Sequence, residues 1–264
     1  MATIAPAHTA STISDNRFFM GVALAMALVI IAGFSMQFVM GRSTFAAPPL
    51  VHLHGLAFMG WVLLFVTQAR FATAGPLALH RKLGWIAAGW VVLLVVMGLA
   101  ITAHVAMAGT APFFFRPQYF LIANPLTLAC FALLTASAIH LRRRSDWQKR
   151  LHICGMASII GPGFGRLLPM PLMGPHAFDI VVMAGLMFPI AGMIRDPRRE
   201  GKVHPAWLWG PLRLLRLFRL RISSLTRPWA MQFTQASPMA NLVPLFPALN
   251  FPRRRRACSA DRSL

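Results

Sequence analysis

The chain has 264 residues, of which 57% are hydrophobic and 12% charged, with a mean hydropathy of +0.61 and a formal net charge of +20. A soluble domain carries roughly 25% charged residues, and a disordered chain is polar rather than apolar, so both classes are excluded. Three cysteines (Cys130, Cys154 and Cys258) make no disulfide framework. What remains is an all-α, polytopic transmembrane helix bundle.

About 20 apolar residues cross a hydrocarbon core of ~30 Å at 1.5 Å per residue, and six segments reach that length. They are 18–40, 50–69, 83–105, 117–140, 151–170 and 177–194. The first follows a polar tail, 1–17. It is too long for a signal-peptide core and no A-x-A cleavage site follows, so the expectation is a retained helix. Asn124-Pro125 marks a kink in the fourth segment, and Gly161-Pro162-Gly163-Phe164-Gly165 a kinked or loosened stretch in the fifth.

Beyond this six-helix block, 18–200, the composition changes. Residues 201–264 hold eleven Lys or Arg and one acid, Asp261. On a helical wheel, Leu214, Leu215, Phe218 and Ile222 share one arc, opposite Arg213, Arg216, Arg219 and Arg221. Segment 201–229 therefore reads as basic, amphipathic and interfacial, its arginines set toward anionic lipid headgroups. The tail 230–264, with four prolines and the Arg253–Arg256 run, has no periodicity and reads as disordered. A membrane surface outweighs nucleic acid as the partner of these charges, and no nucleic acid is expected. Truncation after Lys202 is expected to leave the bundle folded.

Lys and Arg in short loops resist translocation and so set orientation. One side carries Arg17, Arg70, Arg81, Lys82, Arg142, Arg143, Arg144, Lys149, Arg150, Arg195, Arg198, Arg199 and Lys202; the other carries only Arg42 and Arg116. Thirteen against two places both ends of the block in the cytoplasm.

Nine histidines accompany only six acids. His52, His54, His104 and His176 fall at outer helix ends, and His80, His140, His152 and His204 at inner ends. Imidazoles from separate helices can clamp a haem iron axially, so His54, His104, His80 and His152 are candidate haem b ligands, one site per leaflet at most. Water and headgroups also satisfy a histidine at a membrane interface, and that reading stands beside the first. His54 has Phe58 and Trp61 at i+4 and i+7, a face suited to a flat cofactor, and its expected partner is His104. His80 is followed by Arg81 and Lys82, cations that can meet a propionate or a lipid phosphate. No cluster has zinc spacing, and no phosphate loop or G-x-S-x-G is present.

Within the spans Asp179 is the one acid, and Arg166 the clear cation. Each alone costs at least ~2.5–3.5 kcal/mol at the bilayer centre. Their depths match, so an Arg166–Asp179 pair with His176 beside it is expected, either as a helix-pairing device or as a site for substrate or protons.

At His52–Gly55, Leu79–Gly84, Lys149–Leu151 and Val203–Gly210 the chain resembles a family of uncharacterised bacterial inner-membrane proteins. That family carries an HxHG helix start, an LHRxLG loop, a KRL helix start and a VHPAxLWG segment, and is loosely similar to cytochrome-b-like proteins. The resemblance covers about residues 15–210 and implies no established reaction. The family pattern places a histidine where this chain has Gln148, with His152 four residues on. It also opens a further apolar helix after VHPAxLWG, where this chain has Pro211–Ile222. Either the seventh segment has become interfacial, or the reading frame has shifted there; the neighbouring frames of the gene distinguish the two.

Three functions fit. One is a b-type haem protein for intramembrane electron transfer, with quinone or a membrane redox partner. The second is a transporter-like binder using Arg166, Asp179 and His176. The third is a non-catalytic accessory or assembly protein.

Overall fold

The computed structural model describes residues 7–43, 45–110 and 117–209. The proposed interfacial arc with Arg213, Arg216, Arg219 and Arg221, the tail 230–264, and Arg116 lie outside the described residues.

Among the described residues the fold is all-helical, in the order α1 Ala7–Val39, α2 Pro49–Ala74, α3 Leu77–Ala108, α4 Pro117–His140, α5 Ser145–Ile159, α6 Gly161–Leu167, a short 3-10 helix Met170–His176, and α7 Ala177–Glu200. Five helical stretches are long and apolar enough to cross a membrane: Asp15–Val39, Pro49–Ala74, Leu77–Ala108, Phe120–His140 and Ala177–Glu200. Leu28, Leu56, Leu63, Val92, Val96, Leu133 and Met183 point outward from them. A surface so apolar belongs in lipid, and this is a multi-pass membrane protein.

Local chemistry fixes the helix limits. Pro49 opens α2, where its missing N–H costs nothing. Gly109 and Gly201 end α3 and α7 in the left-handed conformation, at φ 64° and 72°, which a side chain resists. Helix α1 begins well before the expected Phe18, so Asp15 and Arg17 are helical.

The expected fifth segment, 151–170, is not one continuous helix. Pro162 has no N–H to donate and its ring clashes with the carbonyl four residues back, and the helix divides at Ile160 into α5 and α6. A Cβ on Gly33 of α1 would collide with the Gly163 carbonyl, and one on Gly163 would press on Val29 and Ile30. Two glycines thus let α1 and α6 touch backbone to backbone, the contact that small residues provide inside membranes.

Packing follows the chain: α1 against α2, α2 against α3, α3 against α4 and α4 against α5. Helix α1 closes against α5 and α6, and α7 lies on α5 and α6. Met26, Leu94, Phe131, Leu134, Leu151, Met156 and Ile160 fill the centre. One end of the bundle gathers the lysines and arginines of the 70–82, 141–150 and 195–202 junctions, and is called the basic end below.

Candidate functional site

At the basic end an ionic cluster is sealed inside the fold. Arg150 of α5 and Asp196 of α7 both have fully buried side chains. Arg150 donates from Nε to Asp196 Oδ2 at 3.0 Å and from Nη2 to Oδ1 at 3.1 Å, a bidentate fork. Two further N–H groups reach the Asp146 carbonyl and Glu200. Asp196 Oδ2 also accepts from Trp207 Nε1 at 2.8 Å and from the His204 backbone N–H at 3.3 Å. A second acid, Asp15 of α1, is held by Lys149, Arg195 and Arg199, with the Arg195 contact at 2.6 Å. Desolvating ions is expensive unless hydrogen bonds offset it; here both buried groups make several, and α1, α5 and α7 are tied together.

Segment 203–209 belongs to this cluster. Trp207 is wholly buried and stacks on Phe19 of α1, with ring centroids 6.1 Å apart and planes 4° from parallel. Gly192 of α7 makes room for it, since any Cβ there would strike the indole. Ala206 is equally buried. The expectation that nothing beyond Lys202 fills the core is thereby corrected: the VHPAxLWG motif supplies a core tryptophan and the hydrogen bond that completes Asp196. His204 Nδ1 accepts the Ala206 N–H at 3.2 Å, which requires the neutral ring. Burial and then the Arg150 charge hold its imidazole below the ordinary histidine value.

The candidate haem ligands separate into two groups. On the α2–α3 interface, Gln68 Nε2 donates to the His80 carbonyl at 3.2 Å and Trp90 Nε1 to the Ala57 carbonyl at 2.8 Å. These contacts fix an antiparallel register in which the His54 ring is turned toward the backbone of Met97. His104 lies seven residues past Met97, about 10 Å further along the helix. The register does not bring His54 and His104 level. His54 instead packs on Phe58, centroid to centroid 4.4 Å.

The inner pair differs. His80 of α3 and His152 of α5 are half-buried, and His152 lies near enough to sense a charge on His80. His80 Nδ1 is enclosed without a hydrogen-bond partner. Two imidazoles from different helices, one with an unpartnered ring nitrogen, are side chains that would hold a haem iron if one were bound. Arg81 and Lys82 follow His80 at the same end.

At the opposite end Arg166 donates to the Pro162 carbonyl at 2.9 Å and lies 4.1 Å over the Phe34 ring. Its guanidinium is thus engaged by α6 and α1. Asp179 and His176 approach to 3.9 Å, with side chains 42% and 75% exposed, so they sit at an open rim rather than within the bundle. Of the three expected cluster members, the described ion pairs join His176 and Asp179.

Sequence reasoning counted Arg150 only as an orientation charge and passed over Asp196, which lies just beyond the last span. The available signal was scarcity. Of six acids, four (Asp15, Asp146, Asp196 and Glu200) lie where the cations are densest. Set against models of known protein families, curated proteins and solved structures, the chain matches none.

Proposed function

We propose that the protein is a six-span bacterial inner-membrane protein, with its N-terminus in the cytoplasm, that holds b-type haem between His80 and His152 and moves electrons within the membrane. The observation that carries this reading is the proximity of two half-buried imidazoles on separate helices, with His80 Nδ1 unpartnered. The sixth span is α5 and α6 taken together, running from Ser145 to Leu167, about 34 Å at 1.5 Å per residue.

A bound haem supplies one-electron chemistry at its iron. The chain's own part is to orient and shield. Gln68 fixes the α3 backbone at His80 through its hydrogen bond to the carbonyl. Arg81 and Lys82, at the basic end, would offer charge to propionates, and the apolar helices keep bulk water out. Electrons would pass to quinone or to a membrane redox partner. The resemblance to cytochrome-b-like proteins supports the same class. The test is a pyridine haemochrome assay on detergent-purified protein from cells supplied with haem; haem b near one per chain is expected, and none overturns the reading.

A further inference from the structure

Inside a membrane every polar group needs a partner, because no solvent reaches it. The chain obeys this rule at most buried positions. Thr102 and Ser158 turn their hydroxyls to carbonyls four residues back, Gly98 at 2.7 Å and Cys154 at 3.0 Å. Trp90 and Trp207 donate to Ala57 and Asp196. Against that background, five enclosed side-chain atoms have no partner among the described residues: His54 Nδ1, Trp61 Nε1, Gln68 Oε1, His80 Nδ1 and Thr135 Oγ1.

Their positions are not scattered. His54, Trp61 and Gln68 follow at seven-residue spacing on α2, a drift of only about 20° per step, so they share one face. From His54 to Gln68 that face covers about 21 Å, some two thirds of a ~30 Å hydrocarbon core. Trp61 packs edge-on against Phe131 of α4, with centroids 5.2 Å apart. Thr135 lies one turn nearer the basic end on α4. Opposite it α5 presents Gly155, where an added Cβ would sit 3.1 Å from Thr135 Oγ1. His152 is three residues closer to the basic end on α5, within range of His80, whose carbonyl Gln68 binds.

We propose that His54, Trp61, Gln68 and Thr135 line an internal file of water that carries protons between the end bearing His54 and the His80–His152 pair. Waters making two to four hydrogen bonds would satisfy the orphaned atoms. Trp61 donates and orients a water, Gln68 Oε1 accepts, and Thr135 both donates and accepts. One proton enters at one end and one leaves at the other, with no change of oxidation state. The path goes beyond the haem reading and does not depend on it.

The full chain is reconstituted into phosphatidylcholine–phosphatidylglycerol vesicles loaded with pyranine, and a potassium–valinomycin potential drives proton entry. Entry several-fold above protein-free vesicles is expected, falling at least tenfold in the Gln68→Leu, Thr135→Val double variant. If that variant fails to fold, X-ray hydroxyl-radical footprinting of the wild type in oxygen-18 water decides: Trp61 should be labelled and Trp207 spared. Flux no greater than in protein-free vesicles, flux unchanged in the double variant, or a Trp61 as inert as Trp207 overturns the proposal.

Discussion

Arg150 shows how one residue type serves two physical purposes. In the sequence it is one of thirteen cations on the side that resists translocation; in the fold its fully buried fork joins α5 to α7 through Asp196. Removing one partner of such a pair leaves an uncompensated buried charge, which costs about 3–5 kcal/mol. Asp196→Ala should therefore lower the unfolding temperature of the detergent-purified protein sharply, and Arg150→Met combined with Asp196→Leu should recover part of the loss. An Asp196→Ala protein as heat-stable as wild type would show that the pair contributes little. His204 gives a pH signature. Its imidazole is held below the ordinary value near 6.5, so between the two values the unfolded state binds the extra proton and stability rises with pH. Stability present above pH 6.5 should thus be lost progressively as pH falls toward the folded value. A thermal-melt series from pH 7.5 to 5.5 should slope less in His204→Asn than in wild type.

At the scale of elements, what was legible was what depends on position along the chain. Apolar runs near 20 residues marked the spans, and Gly161-Pro162-Gly163 announced the division of α5 from α6. What failed depends on which helices are neighbours. Arg166 and Asp179 agree in depth, but depth says nothing of rotation, and Arg166 turns instead to Phe34 of α1. His54 and His104 likewise share a helix-end label while the α2–α3 register separates them. Segment 203–209 was misjudged because its burial depends on a pocket built by Phe19 and Gly192, residues far apart in sequence. Two tests belong here. Truncation after Lys202 removes Trp207 and should yield protein that aggregates on extraction. Trp207→Ala, a large-to-small core change of about 3–5 kcal/mol, should destabilise more than Trp207→Phe, which keeps part of the stacking.

For the whole molecule, the thirteen-to-two distribution of Lys and Arg predicts one orientation. Reporters fused after Arg144 and after Glu200 should be active on the cytoplasmic side, and one between Ala108 and Pro112 on the periplasmic side. A periplasmic signal after Glu200 would mean an odd number of crossings, with α5 and α6 failing to span together. In the predicted orientation, His80 and His152 lie at the cytoplasmic end, with Arg81 and Lys82 beside them. The reduced-state visible spectrum of the purified protein tests the central claim, that this pair holds a haem, most directly. Low-spin b-type bands should be present in wild type, lost in His80→Ala and in His152→Ala, and kept in His54→Ala and His104→Ala. A wild-type protein without these bands, or a His152→Ala protein that retains them in full, would contradict the account.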